Sequence, residues 1–119
     1  MSLTVQPETG NTHTLKISGL LRKSEVDAVH ATAVKMFETV DKIKLLVVAE
    51  DFQGWEPGAD WGDLSFFLNY GDRIVKIAIV AEEKWKDRFL MFFGVGFRKA
   101  PVQFFPANQL AEAKSWLGS

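Results

Sequence analysis

The sequence predicts a single-domain α/β fold: a mixed, mostly parallel sheet with an N-terminal β-hairpin and four helices. Three observations carry this. Two nearly continuous runs of branched apolar residues, Ile43–Ala49 and Ile74–Ala81, are bounded by charged residues, as strands buried on both faces are. Stretches with helical apolar spacing alternate with them. Glycine and proline fall between the periodic segments, and no repeat, low-complexity tract or linker interrupts the chain. Such alternation implies parallel strands joined by right-handed crossovers, with helices packed against the sheet. The 119 residues read as one domain, 1–119.

Residues 2–7 and 12–18 are expected to be strands, because Leu3-Thr4-Val5 and Thr14-Leu15-Lys16-Ile17 alternate. Glu8-Thr9-Gly10-Asn11 supplies the turn of a hairpin between them. Ser24 opens the first helix, with Asp27 at capping-box spacing. Val26, Val29, Ala33, Phe37 and Val40 make its apolar stripe. After the run ending at Ala49, Glu50–Gly58 reads as a loop broken by Gly54, Pro57 and Gly58. A second helix is expected from about Asp60 to Tyr70, ended by Gly71. A third covers Glu83–Phe93, stopped by Gly94 and Gly96. Val102–Phe105 is the last strand, and a final helix begins near Pro106 and Asn108 and ends at Gly118. Ligands of open sheets bind at the carboxyl ends of the strands. Here that edge comprises Glu50–Gly58, Ala81–Lys84 and the segment after Phe105.

A net charge of −1 with pI near 6.1 argues against nucleic acid as partner, since phosphate binding needs a basic stripe. There is no Lys/Arg run for an anionic membrane either. Without cysteine, disulfides, thiolate catalysis and cysteine-type zinc sites are excluded. Met1–Gly10 is polar and shows no signal peptide, and Phe89–Phe97 is too short for a transmembrane segment. The expected location is cytoplasmic.

Catalytic and metal chemistry find no support. His13 and His30 are the two histidines, and a structural zinc site takes four ligands, so His30 reads as a residue at the border of the first helix's stripe. No Gly-x-Ser-x-Gly elbow occurs. Gly94-Val95-Gly96 follows a helix and lacks the third glycine of a dinucleotide loop. Asp60 and Asp63 suit the first turn of a helix, where the dipole favours negative charge. Arg73 and Lys84 flank the fourth strand and read as solvated or paired with a nearby acid. No catalytic residue, metal or cofactor is expected.

Several segments together resemble the SpoIIAA-like proteins of bacteria, relatives of the STAS anti-sigma-factor antagonists. They are Ile17-Ser18-Gly19-Leu20-Leu21, the strand Leu45–Val48 with Glu50-Asp51-Phe52-Gln53-Gly54-Trp55, and Trp61-Gly62-Asp63-Leu64. Arg73–Val80 with Lys84-Trp85, Phe105, and Ala113-Lys114-Ser115-Trp116-Leu117 complete the set. The resemblance implies a STAS-like sheet, distantly similar to lipid-binding CRAL-TRIO domains. Phospho-regulated antagonists carry an Asp-Ser pair where the helix after the central strand begins. Gly58-Ala59-Asp60 stands there, and Ser65 lies about a turn further on, so the phosphoswitch does not carry over.

The aromatic residues mark the candidate site. Asp51, Phe52, Trp55, Trp61 and Trp85 are the expected ligand-binding residues at the strand edge. Projection of the second helix at 100° per residue puts Trp61, Leu64, Phe67 and Leu68 on one side and Phe66 and Tyr70 on the other. On the third, Trp85, Phe89 and Phe92 form the stripe, with Leu90 and Met91 away from it. Phe66, Tyr70, Leu90 and Met91 are therefore the expected partner interface. The expected function is a non-catalytic binding or regulatory domain, not an enzyme, acting through protein contacts as a homodimer. The alternative is a carrier of a small apolar or lipid-like ligand.

Overall fold

The computed structural model describes residues 3–8, 10–62, 65–95 and 99–119. Expectations placed on Ser2, Thr9, Asp63, Leu64, Gly96 and Phe97 lie outside them. The elements run β1 (Leu3–Pro7), β2 (Thr12–Leu21), α1 (Lys23–Met36), β3 (Ile43–Trp55), α2 (Ser65–Tyr70), β4 (Ile74–Ala81), α3 (Lys86–Phe92), β5 (Val102–Pro106) and α4 (Leu110–Leu117). Single 3-10 turns at Gly71–Arg73 and Glu83–Trp85 lead into β4 and α3. The five strands lie side by side in chain order, β1 antiparallel to β2 and the rest parallel. The expected mixed sheet with an N-terminal hairpin and four helices is the one found.

The pleat divides the strands into two faces. A row of partners, Val5, Leu15, Val47, Ile79 and Phe104, crosses the whole sheet on one face. Ile17, Ala49, Ile77 and Ala81 share that face's core with Val26 of α1 and Phe89 of α3. On the opposite face, Leu46, Val48, Ala78, Val80 and Phe105 pack against Ala113 and Leu117 of α4. The β1–β2 part of this second face is polar, with Thr4 opposite Lys16 and Gln6 opposite Thr14. One eight-residue helix therefore covers all the apolar surface β3, β4 and β5 present there. Lys44 and Lys76, register neighbours on β3 and β4, reach the end of this helix. Their ammonium groups donate to the carbonyls of Leu117 (2.6 Å) and Trp116 (2.5 Å), meeting the negative end of the helix dipole.

The loop expected over Glu50–Gly58 is strand as far as Trp55. β3 keeps its pairing by bulging twice: Ser18, Gly19 and Leu20 of β2 oppose Glu50, Phe52 and Gly54, leaving Asp51 and Gln53 without partners. An extra residue shifts the side-chain period by one. Without it, Phe52 would leave the face that holds Val47 and Ala49; with it, Phe52 joins their core, 3% exposed. Asp51 takes the cost, with φ +50°, a left-handed conformation that glycine adopts more readily. Its carboxylate belongs to an exposed residue. Asp51→Gly is therefore expected to raise stability by up to about 1 kcal/mol, read from urea unfolding. A measurable loss would show that the carboxylate stabilises the bulge.

Three further expectations are corrected. The cap of α1 is not Ser24, which lies inside the helix; Arg22 precedes it without a side-chain cap. Glu56, just past β3, caps from a distance by accepting the Lys23 backbone N–H at 3.0 Å. The second helix starts at Ser65, five residues later than expected. Asp60 instead folds a turn on itself, its carboxylate accepting the Gly62 N–H at 3.1 Å. Finally, Arg73 does more than meet solvent or one acid. It donates to the carbonyls of Phe37, Val40 and Asp41 beyond α1, and also lies 3.7 Å from the Asp41 carboxylate.

Candidate functional site

Phe52 is the hub of an aromatic cluster at the carboxyl end of β3. Its ring meets Trp55 at 5.0 Å and Trp85 at 4.9 Å, both close to edge-to-face, and Phe89 at 4.8 Å. These separations are those of favourable ring pairs. Trp55 extends the cluster to Phe92 (5.6 Å), and Phe92 meets Trp61 (5.8 Å). The indole of Trp61 is held by donation to the Glu56 carbonyl at 2.9 Å. The indole N–H groups of Trp55 and Trp85 are buried and meet no acceptor among the described residues.

A second set of stacked rings joins α1 to α2. His30 lies flat on Phe66, with centroids 4.0 Å apart and planes 3° from parallel. Phe66 stacks on Tyr70 at 5.4 Å, and Tyr70 on Phe37 at 5.8 Å. Between the two sets opens a cleft of about 970 Å³ bounded by α1, α2 and the far end of α3. Val26, His30 and Val34 of α1 face it from one side. Their four-residue spacing places them in one row along the helix. Trp55, Trp61 and Phe92 face it from the other. Arg88, Leu68 and Met91 also line it, all three exposed.

The expected ligand residues separate here. Trp55 and Trp61 line the cleft. Phe52 is buried behind Trp55 in the core. Trp85 packs against Phe52 and Trp55 and does not line the cleft. Asp51 projects from the bulge and does not line it either. The expected interface residues separate too. Phe66 and Tyr70 are not the outward side of α2, because α1 covers them. Its outward residue is Leu68, 75% exposed. Leu90 packs against the core, whereas Met91 is 76% exposed. The projection separated the two sides of α2 but not which of them packs: Phe66 and Tyr70 stack on His30 and Phe37, and Leu68 is left exposed.

Sequence reasoning passed over His30, Val34, Phe92 and Arg88 as members of one site. The legible signal was the row Val26, His30, Val34 beside the main stripe of α1. Chemically, the cleft offers burial: apolar walls, two indoles and a few polar groups. The charged pair Lys23–Asp27, at 2.5 Å, lies within it. Among the described residues, no group of three or more His, Asp or Glu could hold a metal ion. Among them, too, no helix is long and apolar enough to cross a membrane.

The sheet, its helix layers and the aromatic edge define a single-sheet α/β domain. The chain belongs to the SpoIIAA-like family, whose sequence profile matches residues 12–118. It is similar in fold to an uncharacterized protein of the DUF3478 family, itself with a SpoIIAA-like fold, from Shewanella loihica PV-4. That likeness has a TM-score of 0.73 at 17% identity, covering 97% of this chain and 91% of the other. No curated protein matches the sequence.

Proposed function

We propose that the chain is a non-catalytic binding domain that takes a small apolar or lipid-like molecule into the cleft between α1, α2 and α3. The observation that carries this reading is the cleft itself. Its volume of about 970 Å³ falls within the range of small-molecule sites, roughly 300–1,000 Å³. Its walls bring together aromatic rings from the end of β3, the following turn, α2 and α3. The SpoIIAA-like fold, whose members are often regulatory binding domains, supports binding over catalysis.

A second reading, contact with a protein and above all a second copy of the chain, has one observation in its favour. Leu68 and Met91, 75% and 76% exposed, stand together among the residues lining the cleft. Apolar side chains that open mark contact surfaces when they are contiguous. Native mass spectrometry of the purified protein separates the two readings. The expected result is a chain carrying the added mass of one small molecule, unchanged in subunit count by Met91→Glu. A ligand-free dimer that Met91→Glu converts to monomer would give the cleft to a second copy instead.

A further inference from the structure

We propose that the molecule the cleft accepts is a fatty acid, its chain between α1, α2 and α3 and its carboxylate at Arg88. This rests on the apolar-ligand reading above and adds the head group to it. The walls dictate the chain: Val26, Val34, Trp55, Phe66 and Phe92 offer hydrocarbon and rings, and each methylene they bury tightens the complex.

Charge dictates the head. Two cationic side chains among the described residues line the cleft, Lys23 and Arg88. Lys23 is paired with Asp27 at 2.5 Å. Arg88 meets no carboxylate among the described residues; its guanidinium lies 5.6 Å from the centroid of the Trp85 ring. Trp85 is itself fixed in the core cluster by Phe52 and Trp55, so the contact holds the guanidinium over a rigid ring. Among the described residues, the cleft thus carries one positive charge that no carboxylate neutralises. A single planar guanidinium matches a single planar carboxylate. A phosphate would bring about two negative charges to a site that already contains Asp27.

The test is titration of the intrinsic tryptophan fluorescence, since Trp55 and Trp61 both line the cleft. Dodecanoate and dodecan-1-ol have the same chain and differ in charge. The wild-type protein is expected to bind dodecanoate about fivefold more tightly, the size of an exposed ion pair. Arg88→Gln is expected to abolish that preference by weakening dodecanoate about fivefold. Arg88 is exposed, so the variant's circular dichroism should match that of wild type. Equal binding of the two ligands by wild type would overturn the head-group inference and leave the apolar-ligand reading standing. Saturable binding of neither, or a ligand-free dimer, would overturn both.

Discussion

Phe89→Ala is expected to lower stability by about 3–5 kcal/mol, the range for deleting a buried ring from a core that relaxes only in part. Phe89 is fully buried, at 0% exposure. Its ring sits 4.8 Å from Phe52, 5.3 Å from Trp55 and 6.3 Å from Phe93. It therefore anchors α3 to the sheet and supports Trp55, a wall of the cleft, from behind. A domain of this size has roughly 5–15 kcal/mol in total, so the variant loses a large share of it. Thermal unfolding should come about 10–20 °C lower. Phe89→Leu, which keeps most of the apolar volume, should lose less than half as much. Ligand binding supplies a second readout, because a displaced Trp55 weakens dodecanoate and dodecan-1-ol alike, unlike Arg88→Gln. A loss under about 1 kcal/mol would mean the cluster closes over the gap, and that Phe89 does not set the position of Trp55.

The central strands were legible because burial on both faces leaves a compositional trace: Leu46 and Val48 face α4 while Val47 and Ala49 face the α1–α3 layer. The end of β3 was not, although its pattern was visible. Phe52 and Gly54 are buried while Asp51 and Gln53 are exposed, which is strand alternation. One added residue puts that alternation out of phase with Val47 and Ala49, and Gly54 imitates a loop breaker. Gly54 is there for another reason: its φ is +105°, a conformation that residues with a side chain rarely adopt. The aromatic richness that marked a site at this edge was correctly located, since Trp55 and Trp61 line the cleft. Which aromatics face outward could not be read. Six residues of α2 are too few for a periodicity to fix its own phase. Stacking of Phe66 on His30 and of Tyr70 on Phe37 depends on how α2 docks against α1. The acceptors of Arg73 were invisible for a further reason: they are backbone carbonyls, which no side-chain pattern encodes.

Those carbonyls make Arg73→Ala the second substitution with a large expected effect, a loss of about 2–3 kcal/mol. α1 ends at Met36, and the chain just beyond it presents the carbonyls of Phe37, Val40 and Asp41 to Arg73. One Arg73 amino group donates to Phe37 at 2.7 Å and Val40 at 3.0 Å, and its Nε donates to Asp41. Hydrogen bonds from a charged donor contribute about 1.5–3 kcal/mol each when well formed. The Arg73 side chain is 31% exposed, so solvent screening holds the total near one such bond, not three. The guanidinium also lies 4.9 Å from the centroid of the Phe37 ring, a contact of about 0.5–1 kcal/mol at a partly exposed site. Arg73→Lys keeps the charge but replaces a planar fork by a point donor, and should recover less than half of the loss. Arg73 ends the turn just before β4 and Phe37 carries the stack to Tyr70; one side chain therefore ties the end of α1 to the sheet and, through Tyr70, to α2. Loosening it should weaken ligand binding less than it weakens the fold, because the cleft walls at Trp55, Trp61 and Phe92 do not depend on it. Denaturant unfolding of the alanine and lysine variants in parallel decides the point. An alanine variant within about 0.5 kcal/mol of wild type, the range of an ordinary surface substitution, would remove Arg73 from any part in holding α1 to β4.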